Sequence, residues 1–330
     1  MKYITNLSND PHYNLAFEEF CFKNLPEGED YVFLWINGPA IIVGKNQNTI
    51  EEINQEYVRE NEIKVVRRIT GGGAVYHDLG NLNFSIFTKS DGKERIDFGQ
   101  INIPILKSLE RFGIEAKLSG RNDLTVDDKK VSGIAQSVWK GRILNHGTIL
   151  YDTDLTVLSK ALNVRADKYE SKGVKSVRSR VTNIKPYMKH DVDIIKFKEM
   201  LLDYIFEYAG EEKKEYFLSA EQLQSIDALY KEKYTTWEWN YGESPDFGVK
   251  NYRKFPVGGV EARIQVKSGV INNIRIFGDF FGTRDVAELE SVLKGTKYER
   301  ESLEELFGSI ALQDFFGAID NNDFIELLIE

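Results

Sequence analysis

Cysteine is nearly missing from this chain: Cys21 is the only one in 330 residues, which excludes an intrachain disulfide and any cysteine-based zinc cluster. Basic charge is also in short supply. Lysine and arginine total 43 against 52 aspartates and glutamates, a formal net charge of -9, whereas non-specific nucleic-acid binding needs a broad basic surface. No nucleic-acid partner is therefore expected. No apolar run is long enough to span a bilayer, and Met1 to Phe20 holds no signal-type apolar core, so the expectation is no membrane and a cytoplasmic address. HExxH, GxSxG and Walker A patterns are absent too, which removes three common motif-bearing enzyme classes.

Apolar material, by contrast, is ample. Hydrophobic residues make up 42% and aromatics 12%, enough to offset chain entropy and exclude wholesale disorder. The length suggests one large core plus a smaller satellite domain. An anionic substrate would need a local basic pocket, because the global field of an acidic protein repels it.

Along the chain, Asp10-Pro11 reads as an N-cap and first-turn proline, with Phe17, Phe20 and Cys21 on one helix face. Tyr31 to Trp35 and Ala40 to Val43 read as strands around the turn Asn37-Gly38-Pro39. Ile50 to Glu60 reads as one helix, Lys64 to Val66 and Leu82 to Thr88 as strands, and Ile101 to Phe112 as a helix. Leu124 to Val126 and Val131 to Val138 form a hairpin with a polar tip at Asp127-Asp128-Lys129. Strict alternation along its second strand places Lys130, Ser132 and Ile134 opposite Val131 and Gly133. Lys168 to Arg180 reads as a mobile basic loop, Ile194 to Tyr208 as an amphipathic helix, and Trp237 to Pro245 as the approach to a second domain. That domain holds a hairpin about Ser268-Gly269 and helices at Val286 to Leu293 and Ser302 to Phe307. Without a regular βαβ repeat, the fold class is α+β rather than a doubly wound sheet.

The stretch from Arg67 to Asn81, RRITGGGAVYHDLGN, is the most informative. Three successive glycines let backbone N–H groups approach an anion, and two arginines upstream supply forked donors to phosphate. It is not a dinucleotide fingerprint, since Tyr76 stands where G-x-G-x-x-G would need its last glycine. On physics alone it reads equally as a strand-connecting turn beside a solvated basic pair.

The same stretch strongly resembles the signature of the lipoate-protein ligases, relatives of the biotin-protein ligases. The resemblance continues in family order through Pro39 to Asn48, Arg121 to Leu124, Lys130 to Ala135, His146 to Thr148 and Ser176 to Asn183. Where the family commonly shows two histidines before Gly-Thr, this chain has Asn145 first. The resemblance implies a large mixed-sheet catalytic domain over 1–243 and a smaller α+β accessory domain over 244–330. It implies ATP, Mg²⁺ and the substrate lipoate, with lipoyl-AMP formed first and the lipoyl group then passed to a protein lysine. The acceptors would be lipoyl domains of 2-oxoacid dehydrogenase E2 subunits or glycine-cleavage H protein, and the enzyme a monomer.

By the same match Lys130 contacts the lipoyl carboxyl oxygen and the α-phosphate and is the catalytic residue; Arg68 and the backbone of Gly73, Ala74, Val75 and Tyr76 hold the nucleotide. Gly71, Gly72 and His77 lie at the lipoyl end. Asn122 and Asp123 neighbour the adenylate, with Asp123 the candidate Mg²⁺ ligand, since hard cations take oxygen. Asp123 reads equally as a brace of the hairpin, and His77 and His146 as hydrogen-bonded scaffold. Two rivals stand beside this reading: an ATP-independent lipoyl or octanoyl transferase, for which Cys21 is the only thiol, and a non-catalytic lipoyl-binding module.

Overall fold

The computed structural model describes residues 1–47, 49–90, 103–120, 122–162, 181–241, 248–267 and 269–329. The large sheet has seven strands: β1 (Lys2–Ile4), β2 (Tyr31–Ile36), β6 (Asn81–Lys89), β7 (Lys117–Ser119), β8 (Asp123–Val126), β9 (Lys129–Trp139) and β10 (Arg142–Leu150). Their order is β1-β2-β6-β10-β9-β8-β7, and only the β1–β2 pair is parallel. β3 (Ala40–Val43) is the centre of a small sheet, parallel to β4 (Lys64–Arg67) and antiparallel to β5 (Val75–His77).

β2 shows why the large sheet is buried on both sides. Its side chains alternate, so Val32, Leu34 and Ile36 join a core closed by the helices Ile103–Arg111 and Ile194–Ala209. Tyr31, Phe33 and Trp35 face the opposite core, formed with α1 (Pro11–Asn24). Asp10 caps α1 by accepting from the His12 N–H, with Pro11 in the first turn. α1 is buried on nearly all sides rather than on the single face of Phe17, Phe20 and Cys21, because it lies between the large sheet, the small sheet and the segment 220–239.

Other departures from the sequence reading have local causes. The segment 50–60 is two short helices, Thr49–Glu52 and Gln55–Glu60, because Asn54 interrupts it and caps the second by accepting from the Tyr57 N–H. The hairpin tip is the two-residue turn Asp127-Asp128, with φ of 49° and 59°, so β9 begins at Lys129. That left-handed pair is the type I′ geometry whose twist matches the flanking strands. Alternation along β9 also fails: Lys130 pairs with Thr125, but Ser132 pairs with Leu124, leaving Val131 as a bulge. Lys130 and Gly133 therefore share a face, the reverse of strict alternation. Trp237–Asn240 is a helical turn packed into the N-terminal body rather than a linker: Asn240 Oδ1 accepts from the Arg67 N–H and Trp239 Nε1 donates to the Arg67 carbonyl.

The chain closes with an antiparallel sheet of β11 (Val249–Phe255), β12 (Gly258–Lys267) and β13 (Val270–Gly278), packed with helices over a core of its own. It seats on the small sheet through the Gly278 N–H, which donates to the Asn46 carbonyl at 2.6 Å, and through a 2.8 Å Lys45–Asp285 ion pair. No helix among the described residues is long and apolar enough to cross a membrane. The basic segment 168–180 and Arg121 lie outside the described residues.

Candidate active site

A cavity of about 120 Å³ opens between α1, the small sheet and β9–β10. Its apolar wall includes Leu15, Trp35, Ile42, Val75 and Phe281. Arg68, Gly72, Gly73, Ala74 and His77 line it from the glycine segment, and Asn122, Lys130 and Gly133 from the β8–β9 hairpin.

The glycine loop is held by Arg68. Its Nη2 donates to the carbonyls of Gly71 at 2.7 Å and Gly73 at 2.9 Å, its Nη1 to the Ile42 carbonyl at 3.0 Å, and its Nε to Thr70 Oγ1 at 3.0 Å. With those carbonyls turned onto the guanidinium, the amides of Gly72, Gly73 and Ala74 take no acceptor among the described residues. Burial pulls Arg68 down to about 10, opposed by the charge of Glu18, so it stays a cation at neutral pH. Arg67 lies outside the cavity wall. Its guanidinium donates to the carbonyls of Gly44, Lys45, Gln47 and Trp239 and to Thr49, which fixes the loop after β3. The arginine pair is thus largely spent on backbone oxygens.

Gly71 needs the absence of a side chain, since a Cβ there would lie 2.4 Å from the Phe280 carbonyl oxygen. Gly71 itself is packed under Phe280 and Phe281, just past β13, and lies outside the cavity wall. Tyr76 also faces away, with its ring buried beside Ile41 and Val43; burial pushes its phenol up to about 12.

Lys130 Nζ sits 2.8 Å from Asp123 Oδ1, both side chains about one-third exposed at 35% and 36%. The ammonium can lie against β9 because position 133 is glycine: a Cβ there would be 3.0 Å from Nζ. Asn122 Nδ2 donates to the Ile134 carbonyl at 2.6 Å, bracing the bulged strand. Among the described residues no three His, Cys, Asp or Glu converge on a metal-sized point, and Asp123 is already paired with Lys130. The donor set does not make a magnesium cage.

His77 is buried among the residues that line the cavity, and Asn37 Nδ2 approaches its Nδ1 at 3.0 Å, leaving Nε2 buried without a partner among the described residues. Burial, reinforced by Arg68, pulls its pKa down to about 3. Opposite it, His146 Nδ1 lies 2.8 Å from Glu18 Oε1 and Nε2 lies 2.7 Å from Thr70 Oγ1. Leu15, Trp35, Glu18 and Phe281 are participants that motif reading did not single out. A carboxylate inside the apolar run of α1 was the available signal for Glu18; for Phe281, two hundred residues away, there was none.

Two family models cover most of the chain: the lipoyl protein ligase A/B catalytic domain over residues 10–206 and the bacterial lipoate protein ligase C-terminus over 244–328. The chain belongs to the lipoate-protein ligase family. Within it, the chain is 46% identical to lipoate-protein ligase LplJ of Bacillus subtilis, over 99% of this chain and 100% of that one. Among solved structures it superposes on P. falciparum LipL1 in complex with lipoate with a TM-score of 0.80 and 28% identity, covering 100% of this chain and 98% of that one. A lipoate-protein ligase A bound with ATP matches with a TM-score of 0.64 and 29% identity, over 73% of this chain and 98% of that one. The ligase catalytic model spans every residue of the glycine loop and of the Lys130 hairpin.

Proposed function

We propose that this chain joins lipoate to the α-phosphate of ATP, releasing pyrophosphate, and then transfers the lipoyl group to the ε-amine of a lysine on a lipoyl-domain acceptor. The observation that carries the reading is the convergence on one cavity with an apolar wall of Lys130 and of Gly72 to Ala74, whose amides take no acceptor among the described residues. An eight-carbon acid tail suits that wall, and its carboxylate and a phosphate repel each other unless a cation and preorganised donors offset their charge. Lys130 supplies the cation, giving up Asp123 for the substrate oxygens. The loop amides supply neutral donors, with their carbonyls held away by Arg68. In the second step the acceptor amine attacks the acyl carbonyl and AMP leaves.

Residues 1–243 carry this chemistry, and 244–330 form the accessory domain that contributes Phe281. The acceptors are the lipoyl domains of E2 subunits or glycine-cleavage H protein, and one chain suffices as a monomer in the cytoplasm, where ATP is supplied. Magnesium would accompany the triphosphate rather than be caged by Asp123, whose carboxylate is paired with Lys130. The thioester route is disfavoured because Cys21 is fully buried among apolar side chains and burial pushes its thiol well up.

Incubating the protein with lipoate and α-labelled ATP tests the reading. A labelled lipoyl-adenylate that discharges onto an apo lipoyl domain is expected; no adenylate in the presence of both substrates would reduce the chain to a lipoyl-binding module.

A further inference from the structure

The buried side chains behind the glycine loop form a continuous hydrogen-bonded chain from a cation to a carboxylate. Arg68 Nε–H must donate, so Thr70 Oγ1 accepts at 3.0 Å and its own proton is free for His146 Nε2 at 2.7 Å. That leaves His146 Nδ1–H to donate to Glu18 Oε1 at 2.8 Å. The same oxygen accepts from Ser85 Oγ at 2.5 Å, and Ser85 accepts from Trp35 Nε1 at 3.0 Å. Glu18 is 0% exposed, and its Oε2 has no partner among the described residues. No carboxylate lies within ion-pair distance of Arg68 among the described residues, so Glu18 is the buried negative charge that answers it.

We propose that Glu18 is a positioning residue for the ligase reaction: through His146 and Thr70 it orients Arg68, which draws the Gly71 and Gly73 carbonyls back and leaves the loop amides aimed at the nucleotide. Glu18 does not itself line the cavity. A buried cation with no counter-charge would instead leave its site or admit water, and the loop would lose its shape. The inference rests on the ligase reading for its functional consequence and on the chain of contacts alone for its structural one.

Glu18→Gln keeps the volume and the acceptor toward His146 while removing the charge; Thr70→Val removes the middle hydroxyl, and Thr70→Ser restores it. Two readouts on the full chain separate the possibilities. In hydrogen exchange of the segment 69–76, Glu18→Gln and Thr70→Val should each speed exchange about tenfold, with the double variant no faster than the quicker single one, because one chain is cut once. In lipoate-dependent ATP–pyrophosphate exchange, both should raise KM for ATP about tenfold and change KM for lipoate less than twofold, with Thr70→Ser closer to wild type than Thr70→Val. Unchanged loop exchange in Glu18→Gln, multiplicative effects in the double variant, or a shift confined to KM for lipoate would each overturn the proposal. If wild type shows no pyrophosphate exchange at all, the ligase reading falls, while hydrogen exchange still decides whether Glu18 holds the loop.

Discussion

Lys130 is the residue on which the chemistry concentrates, because it lines the cavity and, among the described residues, its ammonium is paired with a single carboxylate, that of Asp123. Lys130→Ala should slow lipoyl-adenylate formation about a hundredfold to a thousandfold, the scale of losing one charge-stabilising donor. Single-turnover assays with saturating substrates would show it, and wild-type turnover would remove Lys130 from the mechanism. His77 makes a different kind of prediction. With its pKa lowered from 6.5 to about 3, the folded protein binds fewer protons there than the unfolded chain does at intermediate pH. Its stabilising contribution is complete above pH 6.5 and is lost as pH falls toward 3, at about 1.4 kcal/mol per pH unit below 6.5. Thermal melts between pH 7 and pH 5 should fall more steeply for wild type than for His77→Gln; parallel slopes would place the titration elsewhere.

At the scale of elements, the β8–β9 hairpin does the positioning. Val131 is the extra residue, and its side chain is buried in the core under the large sheet, anchoring the bulge that puts Lys130 and Gly133 on one face. Val131→Ala should cost about 2 kcal/mol by cavity formation. It should also reduce adenylation more than Val126→Ala, a buried valine of the same core on unbulged β8, at matched temperature below both melting transitions. Equal losses would mean that the bulge needs no anchor.

At the scale of the whole molecule, the segment that follows β13 completes the cavity. Phe281 stands over the glycine loop, where a Cβ on Gly72 would lie 2.7 Å from its ring. The Lys45–Asp285 pair that accompanies this contact is half-exposed and contributes at most about 1 kcal/mol. Seating therefore depends on Phe280–Phe281 and the Gly278–Asn46 hydrogen bond. Phe281→Ala should raise KM for lipoate about tenfold, or ~1.4 kcal/mol, by opening one wall; unchanged KM would assign Phe281 to packing alone.

Much was legible in order along the chain. The strands either side of Asn37-Gly38-Pro39, the hairpin whose polar tip the sequence put at Asp127-Asp128-Lys129, the helix read over 194–208 and the glycine loop follow from period, turn chemistry and capping, which depend on neighbours a few residues apart, although Lys129 itself opens the second strand. The ordered motif segments likewise carried the family. What the amino-acid order could not decide was which partners the charged groups would find. Arg67 and Arg68 read as phosphate donors, yet folding surrounds them with backbone carbonyls from 42 to 47 and 71 to 73 and from Trp239. A bulge turned Lys130 to the face of Gly133, and a phenylalanine from the last domain closed the pocket. Those outcomes are set by contacts far apart in sequence, where burial leaves each donor and charge only the partners that packing brings within about 3 Å.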